Sequence, residues 1–188
     1  MSSEPRPFER HDPARYTRSL AYRPRDELPF DVGAAPAHPV LMLDATVYID
    51  AQKAGLPLAL AARIAGAEIR HSAVALGEIA ADIGLLHPSR PGTAAILEVL
   101  SQTLGRTDPD ATHSPSSDAW LEASLMAGIL ARTQGLPKPD RRKLLNDALI
   151  FLSAAEAGAT LVSRNVRDMD LLLQLKPQVQ VLLYDRQP

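Results

Sequence analysis

The run Val40-Leu41-Met42-Leu43-Asp44 decides the fold. Four consecutive apolar residues without polar alternation describe a strand covered on both faces, the pattern of a parallel sheet sandwiched between helices. Asp44 ends the strand at its carboxyl end, where α/β sheets gather their ligands and chemistry. Downstream, the chain repeats this grammar. Glu68 to Ser72 reads as a short second strand, Thr160 to Ser163 as another buried one, and Val179 to Tyr184 as the last.

Helical spacing fills the intervals. One helix is expected from about Val47 to Ala65, bent at Pro57 and stopped by Gly66. Others are expected over Ala73–Leu86, Thr93–Leu104, Ser117 to about Gln134, Asp140–Ala157 and Val166–Leu175, with Ser116 or Ser117 as a cap. The polar stretch Thr107 to Ser117 is expected to be a loop. Strands alternating with helices predict a parallel α/β sheet.

Residues 1–39 differ from the body at 40–188. They hold seven of the 16 prolines among Arg, Glu and Asp, so an irregular, mobile arm is expected. The chain has no cysteine, which excludes disulfides and thiolate metal sites. Its net charge of −2 does not advertise a basic nucleic-acid face, although charge can be segregated. The first twenty residues lack an apolar core and are not read as a secretory signal. No apolar run reaches the roughly 18 residues that span a bilayer. A cytoplasmic protein without membrane contact is expected.

Four acids fall where chemistry is expected. Asp44 follows the first strand. Asp168 follows Thr160–Ser163 after Asn165, with Asp170 as a rival two residues on. Asp147 borders the apolar stripe Leu144, Leu145, Ala148, Leu149 and Leu152 near the start of its helix, and Glu78 borders Val74 and Ile79 early in its own. Singly, each has an ordinary reading: Asp44 and Asp168 as caps, Asp147 as the partner of Lys143, Glu78 as a solvated acid. Clustered, they would repel and raise one another's pKa values unless a cation offset them. Oxygen donors suit Mg²⁺ or Mn²⁺, and without cysteine or an HExxH spacing a zinc site is not expected.

In order and spacing, the segments Val40–Asp50, His71–Ile79, Asn146–Ile150 and Leu161–Met169 resemble the four motifs of PIN-domain proteins, and within them the VapC-like toxins of toxin–antitoxin pairs. The resemblance spans Val40 to Tyr184. It implies a PIN-like three-layer α/β/α sandwich with a mainly parallel sheet, and a metal-dependent endoribonuclease with Asp44, Glu78, Asp147 and Asp168 as both metal ligands and catalytic residues. It further implies Mg²⁺ or Mn²⁺ as cofactor, RNA as substrate, an antitoxin partner contacting the middle helices, and a homodimer. Ser163 and Asn165 match the polar pair that orients the acids. Three departures from the family pattern stand out: Ala45 and Thr46 stand where Thr and Asn are usual, Ser163 where Thr is, and Met169 where Phe is. Ala45 cannot donate a hydrogen bond, which keeps a weakened RNA- or protein-binding scaffold as the alternative. A haloacid-dehalogenase-like phosphatase needs an Asp where Thr46 stands, and a receiver domain needs an acidic pair and a late Lys that the sequence lacks. Arg141, Arg142, Lys143, Arg164 and Arg167 are candidates for holding RNA phosphates, and Trp120 for core or interface packing.

Overall fold

A computed structural model of the chain describes residues 6–30, 39–105 and 107–187. Five parallel strands form one sheet in the order β3-β2-β1-β4-β5: β1 (Val40–Leu43), β2 (Glu68–Ser72), β3 (Thr112–His113), β4 (Thr160–Ser163) and β5 (Val181–Leu183). The helices are α1 (Pro7–Arg10), α2 (Ala45–Gln52), α3 (Leu58–Ala65), α4 (Ala73–Leu85), α5 (Thr93–Gly105), α6 (Ser117–Thr133), α7 (Lys138–Glu156) and α8 (Val166–Leu175).

The chain starts at the central strand, adds β2 and β3 on one side, then returns to add β4 and β5 on the other. Right-handed crossovers therefore place α2–α5 and α6–α8 on opposite faces. The winding reverses between β1 and β4, which pair through Leu41–Thr160, Met42–Leu161 and Leu43–Val162. A crevice opens beyond their carboxyl ends at such a reversal. Asp44 stands there, its amide donating to the Val162 carbonyl at 3.0 Å.

Leu41, Met42, Leu161, Val162 and Leu183 are wholly buried, which explains the unbroken apolar runs. Burying each such side chain contributes about 1.5–3 kcal/mol. Residues 147–154 of α7 are buried all round, between the sheet and α6. Asp147 is the one carboxylate in that run.

Three expectations are corrected. The helix expected from Val47 to Ala65 is two. Ala54 adopts a left-handed φ of 51°, the Gly55 amide closes back onto the Asp50 carbonyl, and Pro57 caps α3. Proline cannot donate the amide bond that a continuous helix requires. The expected loop at 107–117 contains a 3₁₀ turn at Pro109–Ala111 and the edge strand β3, too short to produce an apolar signal. Trp120 is 48% exposed, which fits the interface packing of the two roles expected for it.

The third correction concerns the arm. Residues 1–5 and 31–38 lie outside the described residues, but residues 6–30 are fastened to the body. They are irregular, as proline dictates, yet held by polar contacts. Arg10 and His11 reach Glu122 on α6 at 2.7 and 2.8 Å. Arg132 donates to the carbonyls of Pro13 and Tyr16, and Gln174 to that of Ala21. Arg23 holds Asp170 through its backbone amide and Nε, at 2.9 and 2.7 Å. The segment ends against β5, where the Leu183 amide donates to the Pro29 carbonyl at 2.7 Å.

Candidate functional site

Each of the four acids is brought to the crevice by a different element. Asp44 occupies the N-cap position of α2, but its side chain makes no capping bond. Instead its Oδ2 accepts from Ser163 Oγ at 2.7 Å and Thr46 Oγ1 at 2.8 Å. Its carboxylate is thus held by one hydroxyl from the neighbouring strand β4 and one from the first turn of α2.

Ser72 caps α4 through the Ala75 amide and fixes the turn that carries Glu78, whose Oε1 accepts from Asn146 Nδ2 at 2.9 Å. Asn146 precedes Asp147 on α7, so α4 and α7 are tied where their acids meet. Asn165 Nδ2 donates to both Asp147 Oδ2 and Asp168 Oδ2, at 3.1 and 2.9 Å. The Asn165 amide in turn donates to Ser163 Oγ at 3.0 Å, which couples the two ends of the site. Asp170 is excluded from this set, because Arg23 and Gln174 engage it.

The electrostatics show how close the acids stand. Burial pushes the Asp147 carboxyl up to about 8, reinforced by the charges of Asp44, Asp168 and Glu78 and opposed by Lys143. Burial likewise raises Asp44, against the pull of the Ser163 and Thr46 hydroxyls. It raises Glu78 too, with Asp44 and Asp82 adding repulsion and Asn146 and Lys143 opposing. Four carboxylates feel one another, and the single amide of Asn165 lies between two of them. As the side chains stand, no three acids or histidines among the described residues converge on one ion-binding point. Like charges hold such a set apart until positive charge is supplied. In chemistry, though not yet in closure, the donor set fits a hard divalent cation: oxygen ligands only, largely buried, with hydroxyls and amides fixing their orientation.

The departures from the family pattern change weight here. Thr46 donates to Asp44, and its Oγ1 also accepts the Arg164 amide at 3.4 Å. Ala45 donates nothing from its side chain, and two hydroxyls already hold Asp44. Of the five basic candidates, Lys143 acts on Asp44, Glu78 and Asp147. Arg167 hydrogen-bonds to Tyr22 and Arg141 to the Leu136 carbonyl. Arg164 pairs with Asp50, a wholly buried acid that the sequence reading passed over. Its position three residues after buried Val47, on the inner face of α2, is the signal that could have found it.

Comparison with known proteins bears on the fold. No protein-family model matches the sequence, and no curated protein does. Solved structures do match. A chain of FitAB bound to an IR36 DNA fragment is 15% identical, with 76% of this chain and 94% of that one covered at a TM-score of 0.53. A chain of VapBC-1 from nontypeable Haemophilus influenzae is 17% identical, with 77% and 97% covered at a TM-score of 0.51. VapBC-5 from Mycobacterium tuberculosis, a member of the VapBC family of toxin–antitoxin systems, is 17% identical, with 79% and 100% covered at a TM-score of 0.48.

Proposed function

We propose that this chain, which has the PIN-like α/β fold of these structures with an all-parallel sheet, is a Mg²⁺- or Mn²⁺-dependent endoribonuclease and the toxin of a toxin–antitoxin pair. The observation that carries the reading is the polar network that ties the four acids together: Asn165 bridges Asp147 and Asp168, Ser163 joins Asn165 to Asp44, and Asn146, next to Asp147, holds Glu78. A protein gains no stability by burying Asp44 and Asp147 beside the half-buried carboxylates of Glu78 and Asp168, and such an arrangement is characteristic of sites built for a cation.

In this reading Asp44, Glu78, Asp147 and Asp168 hold the ion, and Ser163, Thr46, Asn165 and Asn146 fix their orientation. A divalent cation bound there supplies the charge that polarises a phosphoryl group and lowers the pKa of a water. Lys143 lies close enough to offset negative charge as the phosphodiester approaches. An antitoxin partner belongs to the proposal through the resemblance to VapC-like toxins, whose fold the matched VapBC-1 chain shares with this one. A homodimer and a cytoplasmic location complete the proposal, and no helix among the described residues is long and apolar enough to cross a membrane.

Two measurements test it together. Calorimetric titration with Mn²⁺ should show binding to the wild type and none to Asp147→Asn. A denaturing gel of tRNA and rRNA fragments should show cleavage with Mn²⁺ and not with EDTA. Absence of binding at millimolar Mn²⁺ would sink the nuclease reading and leave the weakened scaffold.

A further inference from the structure

Beside the acid cluster stands a second constellation that the proposed chemistry does not use. Asp50 is wholly buried on α2. Its Oδ2 accepts from Tyr184 Oη at 2.9 Å and pairs with Arg164 Nε at 2.9 Å, and its Oδ1 lies 3.6 Å from Arg186 Nε. Both arginine side chains remain about two-fifths exposed, 40% and 42%. Among the described residues their terminal nitrogens make no hydrogen bond, so each head is anchored at Nε and open at its tip. Two positive charges share one buried carboxylate, which leaves the constellation net cationic.

Its construction is specific. A Cβ on Gly55 would stand 2.7 Å from Arg186 Nε and 3.0 Å from its Cγ, so a larger residue there would make the Arg186 side chain shift from its place over Asp50. The Gln187 amide donates to the Gly55 carbonyl at 2.9 Å, pinning the C-terminal segment in register. Arg164 is one residue from Asn165, and its own amide donates to the Thr46 hydroxyl that holds Asp44. The backbone of Arg164 is therefore tied to the acid cluster through the single side chain of Thr46.

We propose that Asp50 and Gly55 position Arg164 and Arg186 as a clamp for a backbone phosphate of the RNA strand, next to the phosphate held at the acids. The inference rests on the ribonuclease reading. Guanidinium tips present paired donors that match phosphate oxygens, and contacts of this kind place a strand without reading its bases. The clamp supplies attraction where the acid cluster alone would repel the polyanion.

The test is the salt dependence of binding to a single-stranded oligoribonucleotide of about 12 nucleotides, read by fluorescence anisotropy in EDTA and again with Ca²⁺. Each phosphate contact to a single strand contributes about 0.7 to the slope of log K against log salt. Arg164→Gln and Arg186→Gln should each reduce the slope by about that amount, equally for oligonucleotides of different sequence. Arg186→Lys should keep it. Gly55→Ala retains both arginines and displaces one, so it should behave as Arg186→Gln does, with thermal melts confirming that each variant is folded. Slopes that match the wild type in folded Arg164→Gln and Arg186→Gln overturn the clamp and leave the nuclease reading intact. A wild type that binds no RNA under either condition overturns both.

Discussion

Replacing Asp147 by Asn should stabilise the metal-free protein while removing its ability to bind metal. Asn is nearly the same shape and keeps an oxygen to accept from Asn165, so little packing is disturbed. What changes is charge. The folded-state pKa of about 8 lies far above the ordinary value of 3.8. Between those values the folded protein keeps a proton that the unfolded chain has released, so stability falls as pH rises across the window. At about 1.4 kcal/mol per pKa unit, the full effect is at most about 6 kcal/mol above pH 8, and relaxation reduces it to roughly 2–5 kcal/mol. For a chain of this size each kcal/mol moves Tm by about 2–4 °C. Thermal denaturation in EDTA from pH 5 to 9 should show the wild type losing Tm with rising pH and Asp147→Asn nearly flat, the variant melting at least about 5 °C higher at pH 8.5. With saturating Mn²⁺ the order should reverse. Parallel curves for the two proteins in EDTA would refute the argument that these acids crowd one another.

The carboxylate of Glu122 makes the opposite case. Burial raises its pKa, but His11, Lys176 and Arg10 outweigh this and hold it at about 2. Because the folded pKa is depressed, the contribution of at most about 3 kcal/mol is present above the ordinary value of 4.5 and lost as pH falls toward 2. Glu122→Gln should cost up to about 3 kcal/mol at pH 7, since it removes the buried negative charge that Lys176 and Arg10 face, and limited proteolysis should then cut within residues 6–30; an unchanged Tm would refute this. Thr46→Val removes one of two hydroxyls from Asp44 and should weaken Mn²⁺ binding by roughly 10-fold in calorimetry. Asp170→Asn should leave Mn²⁺ affinity within about twofold while loosening the segment around Arg23; a large loss of affinity would place Asp170 among the ligands after all.

Much of the α/β architecture was legible because its signals are local. Buried parallel strands announce themselves as apolar runs such as Val40–Leu43, and the span of α8 follows from Asn165 before Val166 and helical spacing to Leu175. The proximity of the acids was legible too, since Asp44 and Asp168 follow strands that the topology pairs. What escaped were contacts between distant residues whose local pattern is ordinary. Glu122 reads as a solvated acid until Arg10 and His11, 112 and 111 positions away, are seen to meet it. Its place among the buried Ala119, Ala123 and Met126 was the available clue. The N-terminal segment misled for the same reason. Proline and charge correctly forbade regular structure, but irregular backbone can still be fastened by side chains that reach across the fold.

That fastening ends in a detail with consequences for how molecules of this protein meet. In β5 the amides of alternate residues point away from β4, and the Leu183 amide is taken by Pro29. Proline accepts but has no N–H to offer, so the row of hydrogen bonds stops there. An open strand edge is a template on which another chain can add. The opposite edge, β3, is two residues long and offers little to copy. Removing residues 1–30 should therefore turn a monodisperse protein into one that clumps, with growth of β-type infrared bands and light scattering well before any loss of helix.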